Sequence, residues 1–357
     1  MCKCLADEHN RWMARAIQLA RCGILGAPPN PMVGAVIVKD GSIIGEGYHR
    51  KCGEGHAEVN AFASVANDRL LSEARMYVTL EPCSHYGRTP PCARLILEKG
   101  IKEVYVGCTD PFSKVAGAGI RMLQEGGVKV VTGILQQECQ QLISHFSTCQ
   151  LKQRPYILLK WAQSADGYID NIRQIGSSLA PAHLSTRRSL LRIHTLRTQC
   201  QAIMVGTNTA LLDNPMLSAR KADGPQPLRV VIDRKGILPD NLHLFDGTQP
   251  TWVFGYEDNA DRKGHYEFHH LSQEESSLKQ ILHALVSHGI QTLMVEGGST
   301  LLNSFIQENL WDEMHIECSS MTLSQGISAP HLPPSVKITE EKALGTTFLH
   351  VYPSVSS

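Results

Sequence analysis

Residues 76–100 read Met76-Tyr-Val-Thr-Leu80, then Glu81-Pro82-Cys83-Ser84-His85-Tyr86-Gly87-Arg88-Thr89-Pro90-Pro91, then Cys92-Ala-Arg-Leu-Ile-Leu-Glu98-Lys99-Gly100. The first five residues make a strand. The polar, proline-rich middle makes a loop, and Cys92 to Lys99 makes a helix stopped by Gly100. One thiol thus stands where a strand ends and another where a helix begins. The same alternation extends both ways along the chain. Asp7 caps a helix running to about Cys22, ahead of Gly23. Met32–Val38 and Ile43–Tyr48 flank the Asp40-Gly41 turn of a hairpin, and His56–Ala66 is helical. Beyond the loop, Val104–Gly107 and Val128–Thr132 are strands, Gly119–Gln124 is a short helix and Leu135–Gln150 a long one. Strands interleaved with helices predict a layered α/β domain over residues 1–150.

His56-Ala57-Glu58 places an imidazole and a carboxylate in one first helical turn. With Cys83 and Cys92, His56 completes a set of one nitrogen and two sulfurs. Three protein ligands are the number that a catalytic zinc takes, the fourth position going to water. The positive end of a helix favours the Cys92 thiolate. Zinc lowers the pKa of a bound water to about 7, and Glu58, not itself a ligand, is placed to carry protons. Zinc deaminases follow this logic, with a His-x-Glu and Pro-Cys-x-x-Cys signature. Here eight residues separate the two cysteines instead of two. The longer loop, with His85, Arg88 and Thr89, suits a phosphorylated or ribosylated pyrimidine. Two plainer readings stand beside this one: a structural zinc closed by His85, or cysteines buried as small hydrophobes.

The 357 residues suit two domains of ~150–200 residues each. Lys plus Arg is 34 and Asp plus Glu is 34, so no basic excess exists to hold a nucleic acid. No run of 18 apolar residues occurs, so no spanning helix and no membrane partner are expected. Met1 to Asn10 lacks the apolar core of a signal peptide. The eleven cysteines are an odd number and scattered, which reads as reduced thiols in a cytoplasmic protein.

Gln150–Pro155 is polar and ends in proline, so a second domain is placed at 151–357. Its strands are Tyr156–Trp161, Ala202–Val205, Leu228–Ile232, Thr251–Phe254, Leu293–Val295, Met314–Glu317 and Leu349–Tyr352. Its helices are Leu184–Gln199, Leu278–Ser287 and Ser299–Glu308, with a turn at Thr209–Leu212. Arg187, Arg188 and Arg192 read as a solvated helix face, and His269-His270 as an exposed stretch. No Gly-x-Gly-x-x-Gly opens a βαβ unit and no Gly-Lys-Ser/Thr loop occurs. Instead Thr292–Val295 runs into Glu296-Gly297-Gly298-Ser299-Thr300 and a helix. Free amides at such a helix start bind pyrophosphate, although a strand–Gly-Gly–helix is also a common packing turn.

Several motifs together resemble one family, the bifunctional riboflavin-biosynthesis deaminase–reductases. The 82–92 stretch looks like its deaminase hallmark in full. Pro29-Asn30-Pro31-Met32-Val33-Gly34, Gly45-Glu46-Gly47-Tyr48-His49, His56-Ala57-Glu58-Val59 and Asp110-Pro111 with Val115-Ala116-Gly117 match as well. Leu159-Lys160, Ser164, Asp166-Gly167, Leu196-Arg197, Val205-Gly206, Asp213-x-Pro215, Leu217, Arg220 and Val295-Glu296-Gly297-Gly298 follow the reductase half in order. Asn171–Ala182 departs from the family: Leu184-Ser185-Thr186 is present, but the usual tryptophan is not. The resemblance implies a cytidine-deaminase-like three-layer domain followed by a dihydrofolate-reductase-like domain. It implies Zn2+ on His56, Cys83 and Cys92, Glu58 as the catalytic proton shuttle, and NADPH as the second cofactor. Substrate contacts would come from Asn30, His49, His85 and Arg88 in the first half. In the second they would come from Lys160, Arg197, Leu217, Arg220 and Glu296. Gln163, Ser164, Thr209, Asp213, Gly297, Gly298, Ser299 and Thr300 would meet the dinucleotide. The implied reactions are deamination of 2,5-diamino-6-(5-phosphoribosylamino)pyrimidin-4-one and reduction of its ribosyl group to ribityl. A phosphoribosyl-pyrimidine is the expected small-molecule partner, and a homo-oligomer the expected assembly. The rival reading is a nucleobase or tRNA deaminase carrying an inactive reductase-like domain, and a second rival is a metal-stabilised binding protein.

Overall fold

The structure is a computed structural model and describes residues 3–86, 90–112, 116–259, 261–343 and 346–354, the side chains of 3–6 excepted. The chain divides into two units, Met1–Gln153 and Arg154–Ser357. The division falls inside the polar Gln150–Pro155 stretch.

The first unit runs α1 (Lys3–Arg21), β1 (Gly34–Lys39), β2 (Ser42–Tyr48), α2 (Ala57–Ala63), β3 (Arg75–Leu80), α3 (Cys92–Glu98), β4 (Glu103–Cys108), α4 (Ala118–Glu125), β5 (Lys129–Thr132), α5 (Gln136–Leu142) and α6 (Ser144–Lys152). The sheet order is β2-β1-β3-β4-β5. β1 is antiparallel to β2 and β3, while β3, β4 and β5 are parallel. Alternation along the strands builds both faces. Ala35, Ile37, Met76 and Val78 meet the buried faces of α2 and α3 on one side. Val36, Val38, Tyr77 and Tyr105 meet Trp12, Met13, Ala16, Ile17 and Ala20 of α1 on the other, a helical spacing on one stripe. Burial of each large apolar side chain here contributes about 1.5–3 kcal/mol. The result is a helix–sheet–helix sandwich. α2 lies unusually low on it. A Cβ at Gly47 of β2 would sit 2.2 Å from the Ala61 nitrogen and 2.4 Å from the Ala57 oxygen, so main chain meets main chain.

The second unit runs β6 (Tyr156–Gln163), β7 (Tyr168–Asp170), α7 (Arg187–Gln199), β8 (Ala202–Val205), α8 (Thr207–Asp213), β9 (Leu228–Ile232), β10 (Thr251–Gly255), β11 (Glu267–His270), α9 (Ser277–Ser287), β12 (Thr292–Val295), α10 (Ser299–Gln307), β13 (Glu313–Cys318), β14 (Ile327–Ser328), β15 (Val336–Ala343) and β16 (Thr346–Pro353). Nine of these strands form one sheet, β11-β10-β9-β8-β12-β6-β13-β16-β15, and β14 pairs with β7. The sheet is parallel from β11 to β13, and β16 runs antiparallel to both β13 and β15. One face packs on α9 and α10 through Ile281, Leu285, Leu302 and Phe305. The other is covered by Leu217, Leu238, Leu244 and Phe245.

Several expectations are corrected. The first helix starts at Lys3, so Asp7 lies within it and does not cap it. The expected helix Leu135–Gln150 is two helices, because Ile143 leaves the helical region at φ −100°, ψ 12°. His270 is exposed as expected, but His269 is half-buried in β11, where its ring stacks on Phe254 at 4.8 Å. β15 carries Lys337, Glu340, Glu341 and Lys342 and is mostly exposed, so its alternation is hidden by charges suited to a sheet edge.

Candidate active sites

In the first unit, His56 is the residue before α2, extended at φ −66°, ψ 169°. Cys83 follows β3 and Cys92 is the first residue of α3. The Cys83 sulfur lies 3.6 Å and the Cys92 sulfur 3.4 Å from His56 Nδ1. A tetrahedral zinc, with Zn–S of about 2.3 Å and Zn–N of about 2.0–2.1 Å, separates nitrogen from sulfur by roughly 3.6 Å, so the donor set fits the ion. The Cys92 N–H donates to the Cys83 sulfur at 3.2 Å, and the Ala93 N–H to the Cys83 carbonyl at 3.1 Å. Hydrogen bonds from Cys92 and His56 hold the Cys83 thiol well below its ordinary value, while the hydrogen bond with Cys83, followed by burial, pushes Cys92 up. His85, the candidate fourth ligand, is exposed and does not join this donor cluster. Arg88 lies outside the described residues.

Glu58 is buried, at 3% exposure. Burial, with the Cys83 charge second, raises its carboxyl to about 7. His49 is also buried, and its ring meets His56 edge-on at 5.5 Å. Its Nδ1 donates to the Gly55 carbonyl at 3.2 Å, which leaves Nε2 to accept from Asn30 Nδ2 at 3.1 Å. Asn30 and His49 therefore stand together beside the donor cluster.

In the second unit, a cleft of about 820 Å3 opens where β8 and β12 end and α8 and α10 begin. Lys160, Thr209, Asp213 and the run Glu296–Thr300 line it. Thr209 covers the glycine pair: its Oγ1 lies 3.1 Å from where a Cβ would stand at Gly297 or Gly298. Glu296 is held at two points by Arg197, Nε to Oε1 at 2.8 Å and Nη2 to Oε2 at 2.6 Å. Burial opposes the charge of Glu296, but Arg197 outweighs it and the carboxyl lies below its ordinary value. Burial lowers Lys160, with Glu296 and Glu317 pulling the other way.

Other expected contacts lie outside the cleft lining. The Arg197 Nη1 donates to the Ser218 carbonyl at 2.9 Å, so this guanidinium serves the protein itself. Ser164 is buried in a turn, donating to Asp166 at 2.6 Å and accepting from the Tyr168 N–H at 2.9 Å. Gln163 accepts from the Trp161 indole at 2.8 Å. Leu217 is buried with φ +49°, and Arg220 is exposed, 3.3 Å from Ser218 Oγ. Arg187, Arg188 and Arg192 are exposed, although Arg192 pairs with Glu341 at 2.9 Å.

Arg173 was not foreseen. It lines the cleft and joins Asp170 to Asp213, and its Nη1 donates to the Leu212 carbonyl at 3.0 Å. The signal was Asp170-x-x-Arg173 in a segment that follows no regular period. A second donor cluster, Glu313, His315 and His350, is already knitted. Its carboxylate accepts from His315 at 2.5 Å and from the Tyr156 and Tyr352 hydroxyls, and Arg192 approaches His350.

Residues 6–108 match the model of the cytidine and deoxycytidylate deaminase zinc-binding region, and residues 155–347 match the RibD C-terminal domain. The riboflavin biosynthesis protein RibD of Bacillus amyloliquefaciens is 38% identical over 329 residues, covering 90% of this chain and 86% of the relative. That of Aquifex aeolicus is 35% identical over 347 residues, covering 95% and 96%. A crystal structure of a diaminohydroxyphosphoribosylaminopyrimidine deaminase/5-amino-6-(5-phosphoribosylamino)uracil reductase from Thermotoga maritima is 35% identical, covers 98% of this chain and 99% of that one, and superposes with a TM-score of 0.87. The first unit thus has the cytidine-deaminase-like fold and the second the dihydrofolate-reductase-like fold of the RibD reductases. The cofactors of the two are Zn2+ and NADPH. The chain belongs to the RibD family of riboflavin biosynthesis proteins, and is a bifunctional enzyme in which a deaminase is followed by a reductase.

Proposed function

We propose that the first unit deaminates the pyrimidine of 2,5-diamino-6-(5-phosphoribosylamino)pyrimidin-4-one and that the second reduces the ribosyl group of the product to ribityl. His56, Cys83 and Cys92 would hold zinc, which when bound supplies the Lewis acidity that activates water at neutral pH. Glu58 has the protein's proton-transfer role. It takes a proton from the attacking water and passes it to the ring nitrogen, then takes the proton of the newly formed hydroxyl and gives it to the departing amine, which leaves as ammonia. A buried carboxyl raised to about 7 can both gain and lose a proton near neutrality. Asn30 and His49 would orient the ring, and His85 and Arg88 would serve as contacts to the phosphate. The observation that carries this reading is the 3.4 Å and 3.6 Å spacing of the two sulfurs about His56 Nδ1, with Glu58 buried in the same helical turn.

In the second unit, NADPH would supply the hydride. Gly297 to Thr300 and Thr209 would hold its pyrophosphate at the start of α10. Asp213 would meet its ribose side, and Lys160 and Glu296 would face the sugar carbon that bears the amine. Lys160 can donate the proton needed when the ribose ring opens. Gln163, Ser164, Leu217 and Arg220 would act from outside the cleft lining, and Arg197 through Glu296. The equal counts of acidic and basic residues support a small-molecule substrate in place of nucleic acid. The eleven cysteines, an odd number scattered along the chain, support a reducing, cytoplasmic setting. We also propose a homo-oligomer, to be read by light scattering. The deciding experiment supplies the diamino substrate and follows ammonia release, then NADPH oxidation. Ammonia release without NADPH oxidation would favour the rival with an inactive second unit.

A further inference from the structure

One carboxylate outside the ligand set is unusually fully bonded. Glu81 lies two residues before Cys83 and is 7% exposed. Its Oε1 accepts from the backbone N–H of Gly119 at 2.9 Å and of Ile120 at 3.4 Å. Its Oε2 accepts from Gly117 at 2.9 Å and Asp110 at 3.2 Å. Its own N–H donates to the Cys108 carbonyl at 2.9 Å. Three of the four donors belong to the start of α4, where amides lack partners within the helix and the dipole favours an anion. The helix start also rests directly on the chain leading into the ligand: a Cβ at Gly119 would stand 1.9 Å from the Pro82 oxygen. On its other side, Cys83 is held by α3, whose Ala93 and Cys92 amides bond its carbonyl and its sulfur. Cys83 therefore hangs between two helix starts, and Glu81 makes one of the two grips. Only a carboxylate satisfies four donors here. A carboxamide would turn its NH2 group toward two of them.

We propose that Glu81 is a positioning residue for Cys83: it ties the backbone ahead of this ligand to the start of α4 and so sets the sulfur at its distance from His56 and Cys92. The proposal rests on the reading of His56, Cys83 and Cys92 as the zinc ligands. A carboxylate that merely capped α4 would lower the melting temperature of the metal-free protein. It would leave zinc affinity unmoved at temperatures where the protein is folded.

The test uses the full chain with Glu81→Gln and Glu81→Asp. Zinc affinity is measured by competition with a chromophoric chelator, and the thiolate-to-cobalt charge-transfer band is recorded after Co2+ replacement. NADPH oxidation by the second unit is the control within the same molecule. Glu81→Gln is expected to bind zinc about 10- to 100-fold more weakly and to shift the cobalt band. NADPH oxidation should be unchanged. Should the first unit of the Gln variant fail to fold, the Asp variant, which keeps the charge but shortens the reach, is expected to weaken zinc in the same direction. Wild-type affinity and an unmoved cobalt band in the folded variant overturn the proposal. A wild-type chain that binds no zinc at His56, Cys83 and Cys92 overturns the parent reading along with it.

Discussion

Arg197 holds both oxygens of Glu296, at 2.8 Å and 2.6 Å, from a helix on one face of the sheet to a carboxylate at the mouth of the cleft. Both side chains are nearly buried. The sequence alone placed each against substrate; the fold also joins them to each other. Arg197→Ala leaves a buried carboxylate unpaired, at a cost of about 3–5 kcal/mol. NADPH oxidation should collapse while ammonia release persists. Arg197→Lys loses the two-point geometry and should fall between. Equal loss of both activities would mean that the pair supports the whole chain and not the cleft.

Glu58→Gln should keep its zinc and lose about 10²- to 10⁴-fold in ammonia release. Elemental analysis and an ammonia assay on the same sample check both halves. Wild-type turnover would remove Glu58 from the proton path.

Cys92→Ser should lose most of its zinc, because a hydroxyl is a poor substitute for a thiolate ligand. Full zinc content after dialysis would take Cys92 out of the ligand set.

Arg173→Ala should raise the KM for NADPH about 10-fold, because Asp213 loses the cation that fixes it. Deamination should not change. An unaltered KM would make the Asp170–Arg173–Asp213 bridge a stabilising feature only.

His194 is 4% exposed, and its Nδ1 has no hydrogen-bond partner. Burial, with the charges of Arg197, Arg220 and Lys221, lowers its pKa to about 4. The unfolded chain takes up a proton first, so stability is full above the ordinary histidine value and falls as pH drops from about 6.5 toward 4. The loss should be on the order of 2 kcal/mol. Trp161, Trp252 and Trp311 report on this unit, so urea midpoints followed by fluorescence can be compared with His194→Leu, which should flatten the acid limb. A limb equally steep in the variant would assign it to other groups.

Most strands and helices were legible because their apolar periods are clean, as in Trp12–Ala20 of α1 and Ala35–Val38 of β1. The meeting of His56, Cys83 and Cys92 was legible because two thiols and an imidazole at element ends suit one ion. Glu81 and Arg173 were not. Asp170-x-x-Arg173 is local, but the other groups they bond, backbone amides for Glu81 and Leu212 and Asp213 for Arg173, come from 29 to 40 positions away, a relation that no local period records. Arg197 shows a different gap. Its residue type suits phosphate, and only the fold shows that it also grips Glu296.

The close seating of α2 on Gly47 has a consequence for how this enzyme could diversify. Where a helix rides on side chains, swapping a leucine for a valine can lower or tilt it and so re-aim whatever it presents. Here the standoff is main chain against main chain, with nothing to trim. Drift in the surrounding core therefore cannot retune where His56 and Glu58 point. Adaptation to a differently substituted ring would fall to the loops bearing Asn30, His49 and His85.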